Sequence, residues 1–429
     1  MEEKRIHLAI DIGASSGRHI IGYWNGKEIC TEEIYRFPNG VKEEKGHLVW
    51  DVDALLEEVT KGIELSASKY KVTSLAIDTW GVDYVLMNGE SVIYPVYAYR
   101  DHRTEESVKS VHSIIPFSSL YSRTGIQEQS FNTIYQLFWD LKNGRLEEAS
   151  DFLMIPEYLS YRLTGNKVKE YTNGTTTGLV DINTSQFDRE IISSLSLPPH
   201  LFPVLHGPGT KVGEYKGIDV LLAPSHDTAS AVYGLKSEDD EPYISSGTWS
   251  LLGLKVPSAI VGKESEEGNW SNEGGVGYIR YQKNIMGMWL INRLREELAP
   301  DMSFTEIVEG AEKSSFNAIV DASSPNFLSP RSMKMAFDEA LGVDDLSPFD
   351  YFRSALLSLA KSYGKAIREL ERNTGRKFRK LYITGGGAGN GLLNRLTQEE
   401  TGLEVVARFE EATSIGNLKM QMEVYDELQ

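Results

Sequence analysis

His7-Leu8-Ala9-Ile10-Asp11-Ile12-Gly13-Ala14-Ser15-Ser16-Gly17-Arg18 is the stretch on which the fold turns. His7 to Ile10 is an apolar run, Asp11 to Arg18 a Gly/Ser turn, and His19 to Trp24 a second β run. Asn25-Gly26 then signals a tight turn, and Ile29 to Phe37 can return as a third strand. Glycine lets the backbone turn tightly and approach a ligand closely. Successive amides in such a turn form an anion nest, and the Ser hydroxyls add donors. Asp11, at the strand end, is placed to hold Mg²⁺ through water. Read alone, the same residues also suit an ordinary β-hairpin turn.

The pattern echoes at Pro242 to Gly253, where Tyr243-Ile244-Ser245-Ser246-Gly247-Thr248-Trp249-Ser250 reads again as strand, Ser/Gly turn, strand. Two such turns, one opening each half, can close on a phosphate chain from opposite sides. A chain of 429 residues suits two domains, and the boundary is expected near residue 235, giving 1–235 and 236–429.

Between these landmarks strands and helices alternate, which predicts α/β layering. Asp51 is a helix N-cap followed by Leu55, Leu56, Val59 and Ile63 at helical spacing. Val72 to Ile77 is a short buried strand. Tyr135, Leu137, Phe138 and Leu141 share one helix. A long helix runs from Tyr351 to Arg372 with Leu356, Leu359, Ala360, Tyr363 and Ile367 as its stripe. Leu381 to Thr384 is a strand leading into Gly385-Gly386-Gly387-Ala388-Gly389-Asn390 and a further helix.

Composition narrows the function. Hydrophobic residues at 41% and charged residues at 25% describe a globular chain with a real core. No apolar run reaches the length of a membrane span, and the N-terminus lacks the apolar stretch of a signal peptide. The cytoplasm is therefore the expected compartment. With Cys30 as the only cysteine, an intramolecular disulfide is impossible and a Cys-based metal site implausible. A net charge of −18, with no Lys/Arg run long enough to form a basic face, argues against nucleic acid. An acidic protein must hold phosphates by backbone amides and a divalent cation.

Further segments carry chemistry. Pro224-Ser225-His226-Asp227-Thr228 follows the apolar strand Val220 to Ala223 and suits a helix start. A carboxylate in a cleft accepts a proton from a hydroxyl attacking phosphorus; equally, Asp227 could serve only as a cap. His226 reads as a packing or hydrogen-bonding residue, since none of the eight histidines pairs at ligand spacing. Asp78-Thr79-Trp80-Gly81-Val82-Asp83 combines an aromatic platform with carboxylates, suited to stacking a sugar, although Trp80 could equally be core. Arg100-Asp101-His102-Arg103 supplies more polar groups. The Gly385 cluster lies between strand and helix, a ligand position in α/β sheets, but is neither a P-loop nor a clean dinucleotide fingerprint.

Taken in order, these segments resemble the FGGY family of carbohydrate kinases, within the actin-like ATPase superfamily. The resemblance is carried by DIGASSGR (11–18), IDTWGVD (77–83), AYRDHR (98–103), YTNGTTTGL (171–179), SHDTASA (225–231), SSGTWSL (245–251), KNIMGMW (283–289) and TGGGAG (384–389). It implies an α/β fold of two actin-like (ribonuclease H-like) domains with a catalytic cleft between them, the N-terminal one binding sugar and the C-terminal one nucleotide. It further implies ATP and Mg²⁺ as cofactors, a small ketose as partner, no nucleic acid or membrane, and a monomer or homodimer. Carried over by motif, Asp227 is the proton acceptor and Asp11 the metal residue. Ala14, Ser15, Ser16, Gly17, Arg18, Thr248 and Asn292 contact ATP, with Gly385, Gly386 and Gly387 on the adenosine side. Trp80, Gly81, Asp83, His226, Asp227, Thr228 and Asn284 contact the sugar. The implied reaction phosphorylates L-rhamnulose at its 1-hydroxyl; the alternatives are a kinase for another ketose, such as L-fuculose or D-xylulose, and a non-catalytic actin-like sugar sensor.

Three departures stand out. Asn132 to Leu137 reads NTIYQL, so Gln136 occupies the place where many relatives carry Lys. That argues against xylulose or glycerol as substrate and fits the branch acting on L-rhamnulose. Asn292 stands where a longer Gln is expected. The chain ends at Gln429, soon after Ala412-Thr413-Ser414-Ile415-Gly416-Asn417, where relatives continue with more helix, so a reduced C-terminal edge is expected.

Overall fold

The computed structural model describes residues 4–238, 240–328, 330–343, 346–408 and 411–428. The chain packs as two units. The first is built from the chain up to Leu235 together with Val256–Arg280 and the segment from Ala412 onward; the second comprises Lys236–Lys255 and Tyr281–Glu411.

In the first unit six strands form one sheet: β1 (Ile6–Ile12), β2 (Ser16–Trp24), β3 (Ile29–Pro38), β4 (Val72–Thr79), β5 (Lys211–Tyr215) and β6 (Ile218–His226), in the order β5-β6-β4-β1-β2-β3. The opening segment forms the antiparallel β1-β2-β3 meander that its sequence predicts. β4 then lies parallel to β1, and β6 parallel to β4. β1 and β4 are buried nearly end to end, which is why they read as continuous apolar runs and not as alternating ones.

Both faces of this sheet are covered. The helix Val52–Lys69 is capped by Asp51, whose carboxylate accepts from the Ala54 amide at 3.0 Å, and it buries Leu55, Val59 and Ile63. The helix Ala412–Val424 supplies Leu418 and Met422 to a cluster with Ala9 and Ile20. This tail helix thus packs in the first unit, whereas the sequence expectation had grouped everything after 236 with the second half. Its apolar positions find their burial on the first sheet, a long-range partner with no local signal. A second core in the same unit gathers Tyr84, Phe138, Phe152, Leu179 and Phe202.

The second unit repeats the plan. Its strands β7 (Tyr243–Ser246), β8 (Trp249–Val256), β9 (Ile279–Met286), β10 (Lys380–Thr384) and β11 (Glu404–Ala407) run in the order β9-β8-β7-β10-β11. β7 and β8 form the antiparallel hairpin, β10 joins parallel to β7, and β11 parallel to β10. The long helix Pro348–Thr374 starts at a capping box between Ser347 and Asp350 and buries the five stripe residues expected of it.

Candidate active site

The site in the first unit forms where three parallel strands end together. Register places Asp11 of β1 opposite Asp78 of β4, and Thr79 opposite His226 of β6. The carboxyl end of a parallel sheet is where α/β folds present ligand-binding groups. Asp78 is wholly buried. Burial pushes its carboxyl well above the usual range, the charge of Asp11 pushes the same way, and a hydrogen bond from Asn417 opposes them. Asn417 Nδ2 reaches Asp78 Oδ2 at 2.6 Å, and Ser414 Oγ donates to Asp11 Oδ2 at 3.2 Å. Both donors come from the tail helix, and sequence reading assigned neither to the site.

The Gly13–Ser16 turn is closed by the Gly13 amide on the Ser16 carbonyl at 2.9 Å. Asn39 pins it from β3's end: its amide donates to the Ser15 carbonyl at 3.0 Å and its Nδ2 to the Gly13 carbonyl at 2.9 Å. Gly17 is needed for packing, since a Cβ there would lie 2.1 Å from the Phe37 ring. Arg18 Nη2 donates to Asp11 Oδ2 at 2.8 Å. The guanidinium expected at ATP is therefore held on Asp11.

Asp227 is the first residue of the helix Asp227–Gly234, as its sequence suggests. Its Oδ1 accepts from the Thr228 amide at 2.5 Å and from Thr228 Oγ1 at 3.1 Å. Its Oδ2 takes no hydrogen bond among the described residues, and the side chain is 31% exposed. One oxygen is anchored and the other free, an arrangement suited to accepting a proton. The loop before it is fixed by Glu170, another residue missed in the sequence. Glu170 is fully buried, caps the short helix Tyr171–Thr175, and accepts from Ser225 Oγ at 2.6 Å. Gly234 and Gly416 let the Asp227 helix and the tail helix touch: a Cβ on Gly416 would lie 1.8 Å from the Ser230 carbonyl oxygen.

The Trp80-Gly81-Val82-Asp83 segment corrects two expectations. Asp83 is wholly buried and accepts from Trp50 Nε1 (2.7 Å), Trp80 Nε1 (3.0 Å), the Tyr99 amide (3.0 Å) and Gln136 Nε2 (3.2 Å). Its oxygens are spent inside the protein, so Asp83 orients the two indoles and is not a free sugar contact. Trp80 is only 6% exposed and packs on Trp50 at 4.2 Å, so its indole is not an open stacking platform. Gly81 lies tight against Thr176. Val82 adopts φ 66°, a strained backbone for a β-branched residue. It is held there by Thr176 Oγ1 on its amide and by Thr133 Oγ1 and Gln136 Nε2 on its carbonyl. Gln136 also accepts from the buried Arg103 at 2.6 Å.

In the second unit a cavity of about 520 Å³ brings together Thr248, Asn292, Gly386 and Gly387, four of the residues expected at the nucleotide. Gly247 and Asn390 add polar backbone and amide; Met288, Phe304 and Val308 give apolar walls. The glycine cluster fits under the end of β7: Gly385 has φ +83° and a Cβ there would come within 2.6 Å of the Ser246 carbonyl. Gly385 and Asn284 are not among the lining residues. Asn284 sits on β9, where its buried Oδ1 has no partner among the described residues. No group of three acidic, His or Cys side chains arranged for a metal occurs among the described residues.

Comparison with known proteins matches this architecture. The model of the FGGY family of carbohydrate kinases, N-terminal domain, matches residues 6–218, and that of the C-terminal domain matches residues 242–423. The chain is 38% identical to a rhamnulokinase of Oceanobacillus iheyensis, covering 99% of this chain and 94% of that protein. It is 40% identical to a rhamnulokinase of Enterococcus faecalis, covering 99% and 90%. Among solved structures, a xylulose kinase from Lactobacillus acidophilus superposes with a TM-score of 0.84 over 99% of this chain and 90% of its own, at 15% identity. That likeness carries the fold alone, a two-domain α/β architecture. Two family models that between them span both units leave one conclusion: the chain belongs to the FGGY family of carbohydrate kinases.

Proposed function

We propose that this chain transfers the γ-phosphate of ATP to the 1-hydroxyl of L-rhamnulose, with Asp227 as general base. One observation carries the catalytic part: Asp227 holds one oxygen on Thr228 and leaves the other open, at the same end of three parallel strands as Asp11. The sugar is taken from relatives named rhamnulokinase, at 38% and 40% identity over nearly the whole chain.

In this reading the first unit serves mainly the sugar and the second unit the nucleotide. Asp227 Oδ2 accepts the hydroxyl proton as that oxygen attacks the γ-phosphorus. Gly81, His226 and Thr228 border the sugar, with Asn284 Oδ1 as an acceptor for one of its hydroxyls. The Ala14–Gly17 turn and Thr248 present donors to the phosphates, Arg18 buffers Asp11, and the 520 Å³ cavity with Asn292, Gly386 and Gly387 takes the adenosine. The donor set fits a Mg²⁺ carried by the nucleotide and met by Asp11 through water, not a resident cage. Such an ion neutralises phosphate charge during transfer. No described helix is long and apolar enough to cross a membrane, and a cytoplasmic monomer or homodimer goes with the reading.

A panel of ketoses in a coupled ADP assay, with and without Mg²⁺, tests it. L-Rhamnulose should give the highest kcat/KM. A higher value for L-fuculose or D-xylulose overturns the substrate; no ADP with any sugar overturns the kinase.

A further inference from the structure

Val82 is the centre of a three-residue turn that its own chemistry opposes. Its φ of 66° is left-handed, and the Asp83 amide donates across it to the Gly81 carbonyl at 2.9 Å. That is the rare and strained form of γ-turn, built here on a β-branched residue where glycine would sit at ease. Such strain persists only where the surroundings over-determine it, and it gathers at functional sites. The surroundings here are a threonine-rich turn. Thr176 Oγ1 donates to the Asn173 carbonyl at 2.7 Å, which leaves its lone pairs to accept the Val82 amide at 3.1 Å. Thr175 Oγ1 donates to the Thr172 carbonyl at 2.7 Å and accepts the Gly274 amide at 2.9 Å. Thr172 Oγ1 donates to Glu170 Oε2 at 2.7 Å and faces the His226 amide at 3.5 Å. Each hydroxyl spends its hydrogen inside its own turn and offers a lone pair to the backbone of another segment. Glu170 ties the same turn to the loop before Asp227, since its Oε2 also accepts from the Asn173 amide (2.9 Å), the Ser225 amide (3.2 Å) and Ser225 Oγ (2.6 Å).

We propose that Thr176 is a positioning residue for the sugar: by holding Val82 in its left-handed turn, it fixes the Gly81–Val82 peptide against the ketose, in register with the Asp227 loop that the same turn carries. This rests on the assignment of Gly81 to the sugar and of Asp227 as base, and it deepens that reading. The peptides on both sides of Val82 are tied. Thr176 takes the amide, while Thr133 Oγ1 and Gln136 Nε2 donate to the carbonyl at 2.7 and 3.2 Å. Thr176 also packs on Gly81, where a Cβ would lie 3.0 Å from its Cγ2, so the peptide is located from two directions. A valine at 176 keeps the shape of the side chain but offers no acceptor. Val82 then relaxes toward the negative φ that β-branched residues prefer, and the Gly81–Val82 peptide turns away from the sugar. Glycine at 82 removes the reason to relax, because it holds a positive φ without a steric cost.

The test has a kinetic arm and a hydrogen-exchange arm. Thr176→Val should raise KM for the best ketose of the panel by about ten- to a hundredfold, the equivalent of one unpaired amide, with KM for ATP unchanged. Thr176→Ser, which keeps the hydroxyl, should stay near wild type. Adding Val82→Gly to Thr176→Val should recover most of the lost sugar affinity. Thr177 supplies the structural control: it is fully buried in the same turn, but its hydroxyl serves only the Gly174 carbonyl and the Leu179 amide among the described residues. Thr177→Val should lower the melting temperature and leave the sugar KM alone. An unchanged sugar KM in a folded Thr176→Val overturns the proposal, and so does a raised KM that Val82→Gly fails to restore. If Thr176→Val does not fold, Thr133→Val, which frees the other side of Val82, runs the same comparison with the same glycine rescue. Without substrate, the Val82 amide should exchange faster in Thr176→Val than in wild type or Thr177→Val. Equal exchange refutes the clamp by itself. Absence of ADP from the wild type with every ketose would sink the proposed function instead, while the exchange arm still reports on the turn.

Discussion

At the scale of single residues, the proposed chemistry is concentrated on one carboxylate oxygen. Asp227→Asn keeps the size of the side chain and can still accept from Thr228, but it removes the proton acceptor. Turnover should fall by about two to four decades, the range for loss of a general base, while the melting temperature stays close to wild type. Near-normal turnover would remove Asp227 from its role. A second titrating residue acts on stability alone. His19 lies under the helix Val52–Lys69, in contact with Gly62, and its Nε2 meets the Val59 carbonyl at 3.1 Å. Burial lowers its pKa to about 4, against a weaker opposing pull from that carbonyl. Between pH 6.5 and 4 the unfolded chain takes up this proton and the folded one does not. Stability is therefore full above about 6.5 and falls as pH drops to 4, by on the order of 3 kcal/mol from this group. Urea unfolding at pH 7 and pH 4 should show a smaller loss in His19→Gln than in wild type; equal losses would refute the assignment. The site residues that could be read in the sequence are those, like Asp227 and Gly385, whose Gly, Ser and Asp neighbours announce a turn locally. Asn417 and Ser414 could not be, because their partners Asp78 and Asp11 lie 339 and 403 residues away. Trp80 and Asp83 misled for a different reason: a buried indole held by a carboxylate and a sugar platform have the same composition.

At the scale of elements, the opening meander, the β7–β8 hairpin and the Pro348–Thr374 helix followed directly from periodicity and turn chemistry, because each is specified within its own span. The placement of the tail helix was not legible, since its sequence fixes a helix but not the sheet it covers. What holds it is close backbone approach. Gly234 and Gly416 meet where a Cβ would come within 2.2 Å of the Ala412 carbonyl on one side and 1.8 Å of the Ser230 carbonyl on the other. Both obstacles are backbone atoms, which cannot rotate away. Gly416→Ala should force the two helices apart, lower stability by about 1–3 kcal/mol as overpacking does, and loosen Ser414 and Asn417 on their carboxylates. Differential scanning calorimetry and ADP production should then fall together. Ala tolerated with unchanged melting would show that the helices have slack.

At the scale of the whole molecule, the chain completes its first unit only with its last residues. Leu418 and Met422 are fully buried there, each contributing roughly 1.5–3 kcal/mol by burial. Gln421 donates to the Leu8 carbonyl at 3.0 Å and accepts from Ser74 Oγ at 2.6 Å, and Asn417 binds Asp78. Each buried group deprived of its partner costs about 1–3 kcal/mol. Together these losses are comparable to the roughly 5–15 kcal/mol by which a domain is stable. A chain stopped after Arg408 should therefore fail to fold its first unit, giving aggregated protein or one without near-ultraviolet circular dichroism. Leu418→Ala supplies the contrast: it removes one side chain, costs about 2–5 kcal/mol, and should leave a soluble kinase with a lower melting temperature. The comparison separates a tail that merely adds stability from one that completes a core. If the shortened chain melted cooperatively near the wild-type temperature, the first sheet would be self-sufficient, and the hold of Ser414 on Asp11 and of Asn417 on Asp78 would be dispensable.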